Sequence, residues 1–576
     1  MKNKDVAAIF DRIADILEFK SENPFKIRAY RKVARIIADL SQDIEKINEE
    51  GKLKEIPGVG EGIAKKIKEY IDTGRMKKYE EVKAGIPDEL IAMLAIPSLG
   101  PKSLALIHSE LKVRNIGELK KAIEDGRVAG LKGFGEKKAS NILKGIALHI
   151  GGMERMPLGI ASPIAEAIIT TLRKNRNISA IEPAGSLRRS CETVGDIDIL
   201  AAGKNGKEII NAFVHLPQVR EVLAAGETKG SIRVEEGKQV DLRVVDEESF
   251  GSALQYFTGS KNHNIKLREI AKEKGYKLSE YGIFRNDDKV AGKTEREVYE
   301  KLGMKWIPPE LREDAGEIEA AIKDRLPELV KREDIRGDLH VHTEWSDGTL
   351  SLEVIASIAG KMKYEYVVIA DHSRSLRVAG GLSVDDLYRQ MEEIDRINKK
   401  LKALRILKGA EVDILSRGST RKSPGKLDYP DDLLKRLDIV IAAIHTGFTQ
   451  SEDEITGRII SAMANPHVDI IAHPTGRLIG EREAYRVNME KVMKAAAEHG
   501  KALEINGYYL RLDLNHIHCR MARDMGVKVA IGTDAHSEDH FIWMKYGIAM
   551  ARRGWLTRSD VINTMHLKDL LKWLKH

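Results

Sequence analysis

The chain has 576 residues, too many for one hydrophobic core, so several domains are expected. No apolar run approaches the ~18 residues of a membrane span and the N-terminus lacks a signal-peptide pattern, so we expect no membrane partner and a cytoplasmic location. Two cysteines, Cys191 and Cys519, lie far apart without C-x-x-C spacing, which argues against a disulfide framework and a thiolate zinc site.

The net charge of +7 is unevenly distributed, because residues 1–150 hold 29 Lys and Arg against 23 Asp and Glu. We therefore expect any preference for a polyanion in this first quarter, although Lys-rich solvated helices are a common alternative. Histidine is uneven as well, since thirteen of the 17 follow residue 339. Histidine is the commonest metal ligand, so the C-terminal part is predicted to be a domain of a different kind.

Three segments repeat one pattern of an apolar residue, a tight glycine-bearing turn and a helix start: IPGVGEGIAKKI (56–67), IPSLGPKSLALI (96–107) and LKGFGEKKASNI (131–142). The N–H groups of such a turn and the following helix N-terminus form an anion site. The pattern resembles the helix-hairpin-helix element, which grips the DNA backbone without reading its sequence. The alternative is three ordinary helix connections, and Ser98 replaces the first turn glycine in the second copy. The resemblance implies a monovalent cation at the turns and DNA contacts from Gly58, Gly60, Gly100, Lys102, Gly133, Gly135 and Lys137.

The segment GSLRRSCETVGDIDIL (185–200) places Asp196 and Asp198 on one face of a predicted strand, where they repel each other unless cations lie between them. QVDLRVV (239–245) predicts a neighbouring strand that adds Asp241. Three such carboxylates can hold two Mg²⁺ or Mn²⁺ ions about 4 Å apart. Ser186 and Arg189, in a predicted turn, suit a triphosphate. The alternative is a solvent-facing strand, because an isolated D-x-D pair is common.

These motifs and YFTGSKNHNIKLR (256–268) resemble the family X DNA polymerases over about residues 1–315. The resemblance implies a polymerase-beta-like palm with Asp196, Asp198 and Asp241 as metal ligands, of which Asp241 accepts the primer 3′-hydroxyl proton. Lys261 departs from the family pattern, which leaves a base contact there open. The implied nucleotide contacts are Arg155, Ser186, Arg189 and the Gly195 backbone for the triphosphate, Tyr256, Phe257 and Gly259 for the deoxyribose, Asn264 for the base and Arg268 for the template.

The first 80 residues resemble the small lyase domain of the same family. Alignment of AYRK and IPGVG puts Lys66 at the Schiff-base position, with Lys26 and Tyr30 near the 5′-phosphate pocket. Gly62 and Phe25 replace basic or imidazole groups expected there, and a solvated helix lysine is the alternative for Lys66. A 5′-deoxyribose-phosphate lyase activity is therefore one of two open interpretations.

Beyond residue 335, short apolar runs alternate with helix-length amphipathic segments, which predicts parallel βα units. Seven runs end in side chains of ligand type, which suggests a barrel whose strand ends converge on one rim. Nine ligands exceed the need of one ion, so two or three divalent ions are expected, with Glu411 bridging. The predicted ligands are His340, His342, Asp347, His372, Glu411, His445, His473, Asp534 and His536.

This third resembles the polymerase-and-histidinol-phosphatase (PHP) domain, and every motif position of that family is filled. The resemblance implies phosphoesterase chemistry supported by Mn²⁺, Zn²⁺ or Fe²⁺, as 3′–5′ exonuclease and 3′-phosphatase, with abasic-site endonuclease activity as a further option. Arg374, Arg477 and Arg511 lie near predicted strand ends, where they could hold substrate phosphates. His516 and His518 are interpreted as structural.

The expected fold class is multidomain α/β, with helix-hairpin-helix domains, a mixed-sheet palm, a thumb-like nucleotide-selection subdomain and a distorted (β/α)7 PHP barrel. The expected function is gap-filling repair synthesis by a monomer, on gapped or primed double-stranded DNA with deoxynucleoside triphosphates. The rivals are a nucleotidyltransferase acting on RNA or a small molecule, a DNA-binding protein with silent centres, and a polymerase whose PHP domain is only structural. The expected segments are 1–85 (lyase-like), 86–150 (fingers-like, DNA-binding), 151–250 (palm), 251–315 (thumb-like), 316–335 (linker) and 336–576 (PHP).

Overall fold

The computed structural model describes residues 3–38, 44–56, 58–96, 98–136, 138–143, 145–146, 155–416 and 425–574. The chain divides into two compact units, Met1–Glu154 and Arg155–His576. Lys137 and the expected boundary between residues 150 and 151 lie outside the described residues. In the described part of the chain, no helix is both long enough and apolar enough to cross a bilayer.

The described elements of the first unit are helical. Apolar residues recur at helical spacing along each helix, as Ile27, Val33 and Ile37 do along the second, and they are buried in one of two neighbouring cores. The first core belongs to the first five helices and the second to the helices after residue 87. The helices are α1 (Asn3–Phe19), α2 (Pro24–Ala38), α3 (Ile44–Glu49), α4 (Glu61–Thr73), α5 (Lys77–Lys83), α6 (Asp88–Met93), α7 (Pro101–Leu111) and α8 (Ile116–Glu124).

The second unit begins with a five-stranded mixed sheet in the order β2-β4-β7-β6-β5. Strands β4 and β7 are parallel, and the other neighbouring pairs are antiparallel. Alternate residues of β7 are buried, so Asp241 lies on the less buried face. This part comprises β1 (Met156–Pro157), α9 (Leu158–Leu172), β2 (Ile178–Pro183), α10 (Gly185–Arg188), β3 (Thr193–Val194), β4 (Ile197–Gly203), α11 (Gly206–Val214), β5 (Glu221–Ala225), β6 (Lys229–Arg233) and β7 (Gln239–Val245).

The part of the chain that contains the five-stranded sheet is called the palm below. A helical segment with a small antiparallel sheet, in the order β10-β9-β8, follows it. Its core includes Leu267, Tyr299 and Ile318, and Trp555 from the far end of the chain. The stretch expected to be a linker contains a helix whose Glu317 is buried and accepts a 2.6 Å contact from His263 Nδ1. The elements are α12 (Phe250–Thr258), α13 (Lys261–Glu273), β8 (Lys277–Ser279), β9 (Gly282–Arg285), β10 (Asp288–Ala291), α14 (Glu295–Lys301) and α15 (Glu317–Ile322).

Seven parallel strands, β11 to β17 in chain order, form the C-terminal barrel. The ends of β11 and β17 approach each other, since the Asp534 N–H donates to His340 O over 2.9 Å, which nearly closes the ring. The expected barrel of seven parallel strands is thereby confirmed. Its elements are β11 (Gly337–Val341), α16 (Leu352–Lys361), β12 (Tyr366–Ile369), α17 (Val384–Asn398), β13 (Arg405–Asp413), α18 (Asp431–Leu434), β14 (Ile439–Ala443), α19 (Glu452–Met463), β15 (Ile470–Ile471), α20 (Met489–His499), β16 (Ala502–Asn506), α21 (His516–Asp524), β17 (Val529–Gly532), α22 (Met544–Arg553) and α23 (Leu567–Trp573).

Candidate active sites

Three carboxylates meet at the edge of the palm sheet. Asp198 on β4 pairs directly with Asp241 on β7, and Asp196 precedes β4 by one residue. One carboxylate oxygen from each residue lies within 4.8 Å of the others. Asp241 is also held by Gln239 Nε2 at 3.0 Å and lies 3.4 Å from Lys229 Nζ. The cluster has the oxygen ligands and spacing that Mg²⁺ and Mn²⁺ prefer.

Asp198 carries the strongest electrostatic signature of this cluster. Its burial, followed by the charges of Asp196 and Asp241, raises its pKa to about 7. Gly185 lies against it with a φ of +59°, and a Cβ on this glycine would stand 2.2 Å from Asp198 Oδ2. The glycine therefore provides the room in which the carboxylate sits, and a divalent ion would relieve the repulsion.

The residues expected to bind triphosphate surround this edge. Ser186 lies in the short helix α10 rather than in a turn, and Gly195 lies in the bend before β4. Arg189 Nη1 donates to Thr258 O over 2.5 Å, and its Nε donates to Glu313 over 3.1 Å. Arg155 donates to Thr193 Oγ1 and O over 3.0 and 2.6 Å. Arg189 also acts to lower the pKa of Asp198, against the larger effects of burial and like charge.

The expected sugar and base contacts cluster where α12 meets α13. The rings of Tyr256 and Phe257 stack edge to face with centroids 5.1 Å apart. Asn264 Nδ2 donates to Tyr256 O over 2.7 Å, and Arg268 Nε donates to Asn264 O over 3.3 Å. Gly259 has a φ of +72°, and a Cβ there would stand 3.1 Å from Arg189 Nη1. The residues expected at the deoxyribose and the arginine expected at the triphosphate thus adjoin one another.

The barrel rim brings the nine expected ligands together in overlapping groups. One group is His342, Asp347, His372 and His536, a second is His340, His342 and Asp534, and a third is His372, Glu411 and His445. His473 joins them through Glu411, with Nε2 2.9 Å from Oε1. Glu411 also lies 2.8 Å from His372 and 3.3 Å from His445, so its carboxylate is central.

The donor set of the rim fits divalent metal ions. Nδ1 of His342 and Nδ1 of His473 are buried and have no hydrogen-bond partner among the described residues. Burial and then the neighbouring imidazoles lower the pKa of His342 to about 3, so this ring is neutral, as a ligand must be. The pKa of His445 is instead raised to about 9. Burial opposes this shift, but the Glu411 and Asp413 carboxylates outweigh the effect of burial.

Carboxylates behind the ligands were not predicted from the sequence. Glu504 Oε1 lies 2.6 Å from His340 Nδ1, and Asp413 Oδ1 lies 2.7 Å from His445 Nδ1. Such partners fix the tautomer and orientation of a ligating imidazole. The available signal was spacing, because Asp413 lies two residues after Glu411 on the same face of β13.

The arginines expected to hold phosphate at the rim have protein partners. Arg374 Nε donates to Asp428 over 3.2 Å, and Arg511 Nε lies 3.5 Å from Asp534 Oδ2. Arg477 Nη2 donates to Glu192 in the palm over 2.7 Å. Its guanidinium therefore links the barrel to the segment that precedes Asp196 and Asp198. His516 and His518 lie on α21, outside the ligand groups.

The first turn position has the same backbone conformation in all three copies of the repeat. Gly58 and Gly133 have φ of +80° and +85°, and Ser98 adopts +66° at this position. A serine in the left-handed region shows that the second copy keeps the geometry despite the changed residue. The second turn position differs, with φ of −79° at Gly60, −66° at Gly100 and +81° at Gly135. Gly60 and Gly100 are the N-caps of α4 and α7, and Lys102 is exposed in the first turn of α7, 4.0 Å from Glu18.

The expected lyase residues lie on the first four helices. Lys66 is on α4 with its ammonium donating to Gly62 O over 2.8 Å. Lys26 on α2 lies 4.0 Å from Glu22, and Tyr30 stacks on Phe10 with centroids 5.9 Å apart. Burial raises the pKa of Tyr30. These contacts leave the lyase assignment a prediction.

Comparison with known proteins covers the whole chain. It is 41% identical over 579 residues, and over the full length of both chains, to "DNA polymerase/3'-5' exonuclease PolX" of Bacillus subtilis. A probable phosphatase of Thermoanaerobacter sp. is 32% identical over 41% of this chain and 94% of its own length. A probable phosphatase of Caldanaerobacter subterraneus is 34% identical over 34% of this chain and 75% of its own length.

Family models match four separate segments. They are a helix-hairpin-helix domain (residues 1–76), a SAM-like helix-hairpin-helix tandem (88–147), the DNA polymerase beta thumb (253–313) and the PHP domain (338–514). The probable phosphatases match only 34–41% of this chain, whereas the Bacillus subtilis relative matches all of it. Both centres therefore belong to one shared architecture.

Proposed function

Because the chain belongs to the family X DNA polymerases with a C-terminal PHP domain, we propose that it is a DNA-directed DNA polymerase that also processes DNA 3′ ends. Its substrates are gapped or primed double-stranded DNA and deoxynucleoside triphosphates, and it works as a monomer in gap-filling repair. The observation that carries the proposal is the presence of two complete donor clusters, one at the palm edge and one on the barrel rim.

At the palm edge, Asp196, Asp198 and Asp241 would hold two Mg²⁺ or Mn²⁺ ions, which supply charge neutralisation and an activated primer hydroxyl. Asp241 accepts the 3′-hydroxyl proton. The guanidinium of Arg189 binds the triphosphate, as do Arg155, the Ser186 hydroxyl and the Gly195 N–H. The backbone at Gly259, with Tyr256 and Phe257, excludes a ribose 2′-hydroxyl, while Asn264 contacts the base and Arg268 the template.

On the rim, the nine ligands would hold two or three ions of Mn²⁺, Zn²⁺ or Fe²⁺, which supply water activation and charge neutralisation at phosphorus. Asp413 and Glu504 keep His445 and His340 in the orientation and tautomer that a ligand needs. The reactions are 3′–5′ exonuclease and 3′-phosphatase cleavage, with abasic-site endonuclease activity as an additional substrate class.

The helix-hairpin-helix turns bind the DNA backbone through N–H groups, and their carbonyls would hold a monovalent cation that supplies positive charge to the phosphate. The contacting residues are Gly58, Gly60, Gly100, Lys102, Gly133, Gly135 and Lys137, the last of which lies outside the described residues. Lys66, with Lys26 and Tyr30 at the 5′-phosphate, gives the lyase activity. Borohydride trapping on an incised abasic site tests that activity, and an uncross-linked wild type refutes it.

Two substitutions separate the centres. Asp198→Ala should abolish nucleotide addition to a one-nucleotide gapped duplex while leaving 3′-end cleavage in Mn²⁺ within about twofold, because the rim does not use this carboxylate. His342→Ala should do the reverse. Each variant is assayed for both reactions in Mg²⁺ and in Mn²⁺. Loss of both activities in one variant with an unchanged melting temperature would contradict two independent centres.

A further inference from the structure

A charged junction joins the barrel to the nucleotide side of the palm. It consists of Arg189 and Glu192 from the palm, Glu313 after the thumb, and Arg477 and Arg553 from the barrel. Arg553 ends helix α22 and is only 7% exposed. A buried guanidinium without partners is costly, so the contacts of Arg553 indicate what it is placed to hold.

Arg553 contacts the residue expected to bind triphosphate directly, and it also contacts a carboxylate that this residue shares. Its Nη1 donates to Arg189 O over 2.6 Å, which fixes the backbone of that residue. Its Nη2 donates to Glu313 Oε1 over 3.1 Å, the same oxygen that receives Arg189 Nε at 3.1 Å. One barrel side chain thus touches both the main chain of Arg189 and the carboxylate that orients its guanidinium.

The shared carboxylate has an electrostatic consequence. Burial alone would raise the pKa of Glu313, but Arg189 and Arg553 together lower it, so the group is an anion between two cations. The trio carries a net charge of +1. Without Arg553, Glu313 would neutralise Arg189 alone, and the positive field available to a triphosphate at Arg189 would fall.

A second barrel arginine holds residue 192, near the middle of the segment from Arg189 to Asp196. Arg477 contacts both Glu192 oxygens, at 3.3 and 2.7 Å, and its remaining donors reach Arg511 O and Leu512 O. Glu192 lies three residues after Arg189 and four before Asp196. The segment between Arg189 and the carboxylates is therefore held by the barrel at its first residue and near its middle.

We infer that Arg553 is a positioning residue for nucleotide addition: the PHP barrel holds Arg189 in place and shares the Glu313 charge, so that Arg189 can bind the incoming triphosphate. The inference rests on the proposed polymerase function and adds to it a dependence of nucleotide affinity on the barrel. Arg553 takes no part in 3′-end cleavage, because its contacts lie on the palm side.

The test compares Arg553→Gln with a neighbour on the same helix. Arg552 Nε donates to Glu310 over 2.7 Å and its Nη1 to Val330 O over 3.0 Å, so it also docks α22 but does not touch residues 189–192. Gap filling is measured at varied deoxynucleoside triphosphate, together with DNA affinity, 3′-end cleavage and melting temperature. Arg553→Gln should raise the KM for the triphosphate about tenfold with kcat changed less than threefold, and Arg552→Gln should leave KM within about twofold.

Two more variants separate the inference from a general loss of packing. Arg553→Lys keeps a buried cation but not the forked donor, and should raise KM about threefold. Adding Glu313→Gln to Arg553→Gln removes the uncompensated carboxylate, and should lower KM again by about threefold. If Arg553→Gln does not fold, the Lys variant decides alone, and an unchanged KM in it overturns the inference.

The two proposals fail in different ways. A wild type that adds no nucleotide refutes the proposed function itself. A wild type that fills gaps, with equal KM changes in Arg553→Gln and Arg552→Gln, refutes only the role of Arg553. A KM effect confined to Arg553→Gln, with 3′-end cleavage and DNA affinity unchanged, supports it.

Discussion

Gly185 shows how a single missing side chain supports the chemistry at the palm edge. Its φ of +59° lies in the left-handed region, and an added Cβ would stand 2.2 Å from Asp198 Oδ2. Gly185→Ala should therefore turn the Asp198 carboxylate away from Asp241 and reduce the rate of gap filling by about 100-fold. A displacement of a catalytic group by about 1 Å lowers reaction rates by about this factor. Single-nucleotide addition measured at saturating substrate checks this expectation.

Gly275→Ala is the matched control for Gly185→Ala. Gly275 has a φ of +75°, but no atom lies within 4 Å of the Cβ that alanine would add. Both variants incur the same kind of backbone strain, about 1 kcal/mol, so their melting temperatures should fall alike while only Gly185→Ala loses polymerase activity. Equal activity in the two variants would show that Asp198 tolerates displacement.

For single residues, the sequence predicts the candidate metal ligands better than the side chains that hydrogen-bond to them and orient them. The spacing of Asp196 and Asp198 and the nine rim donors follow from strand periodicity, which a sequence displays directly. Glu504 did not stand out, because a lone carboxylate in an apolar strand has no spacing signature, whereas Asp413 was signalled only by its two-residue spacing from Glu411. The partner of Arg477 was also beyond reach, since Glu192 is 285 residues away.

Just before each of two barrel strands, an aspartate makes the same pair of hydrogen bonds to the backbone of the preceding strand. Asp469 N–H donates to Val440 O over 3.0 Å, and Asp469 Oδ2 accepts from Val440 N over 2.8 Å. Asp438 makes the same pair of contacts with Lys408, at 2.8 and 2.9 Å. Each aspartate opens an apolar run, LDIVI or VDIIA, so the sequence predicts the strand but not the bond that sets its register.

The Asp469 contact predicts a pH dependence of stability. Burial raises the pKa of Asp469 to about 7, from an ordinary value of 3.8. A raised carboxyl pKa means that the folded state disfavours the anion, so the penalty is absent below about pH 4 and complete above about pH 7. Asp469→Asn should remove this slope and be more stable than wild type at pH 8 by about 1–3 kcal/mol.

Urea unfolding of metal-free protein between pH 4 and pH 8 measures the effect of Asp469→Asn. Asp438→Asn changes the same contact one strand earlier and reports the cost of replacing a carboxylate by an amide there. Parallel stability curves for wild type and Asp469→Asn across this range would refute the expectation.

For the molecule as a whole, the palm and the barrel share one core. A single cluster of buried apolar side chains runs from Ile168 and Phe213 in the palm to Val412 and Ile531 in the barrel, and Trp555 packs into the core beside the thumb. The sequence predicted both domains by their internal periodicities, but such periodicities say nothing about contacts between domains. Because the shared core fixes the barrel relative to the palm, a barrel side chain such as Arg553 can hold a palm residue in one position.

Gly159 lies at a close contact between the palm and the barrel. It occupies the second position of α9, and a Cβ there would stand 2.3 Å from Cγ of Tyr509 in the barrel. Gly159→Ala should therefore displace a large, partly buried ring and destabilise the protein by about 1–3 kcal/mol. Gly360→Ala, in α16 with no atom within 4 Å, should instead stabilise by about 0.5–1 kcal/mol, because alanine favours the helix. Because the palm and the barrel share one core, heating Gly159→Ala should abolish gap filling and 3′-end cleavage at the same temperature, below that of the wild type. Loss of one activity at a clearly lower temperature than the other would mean that palm and barrel unfold independently.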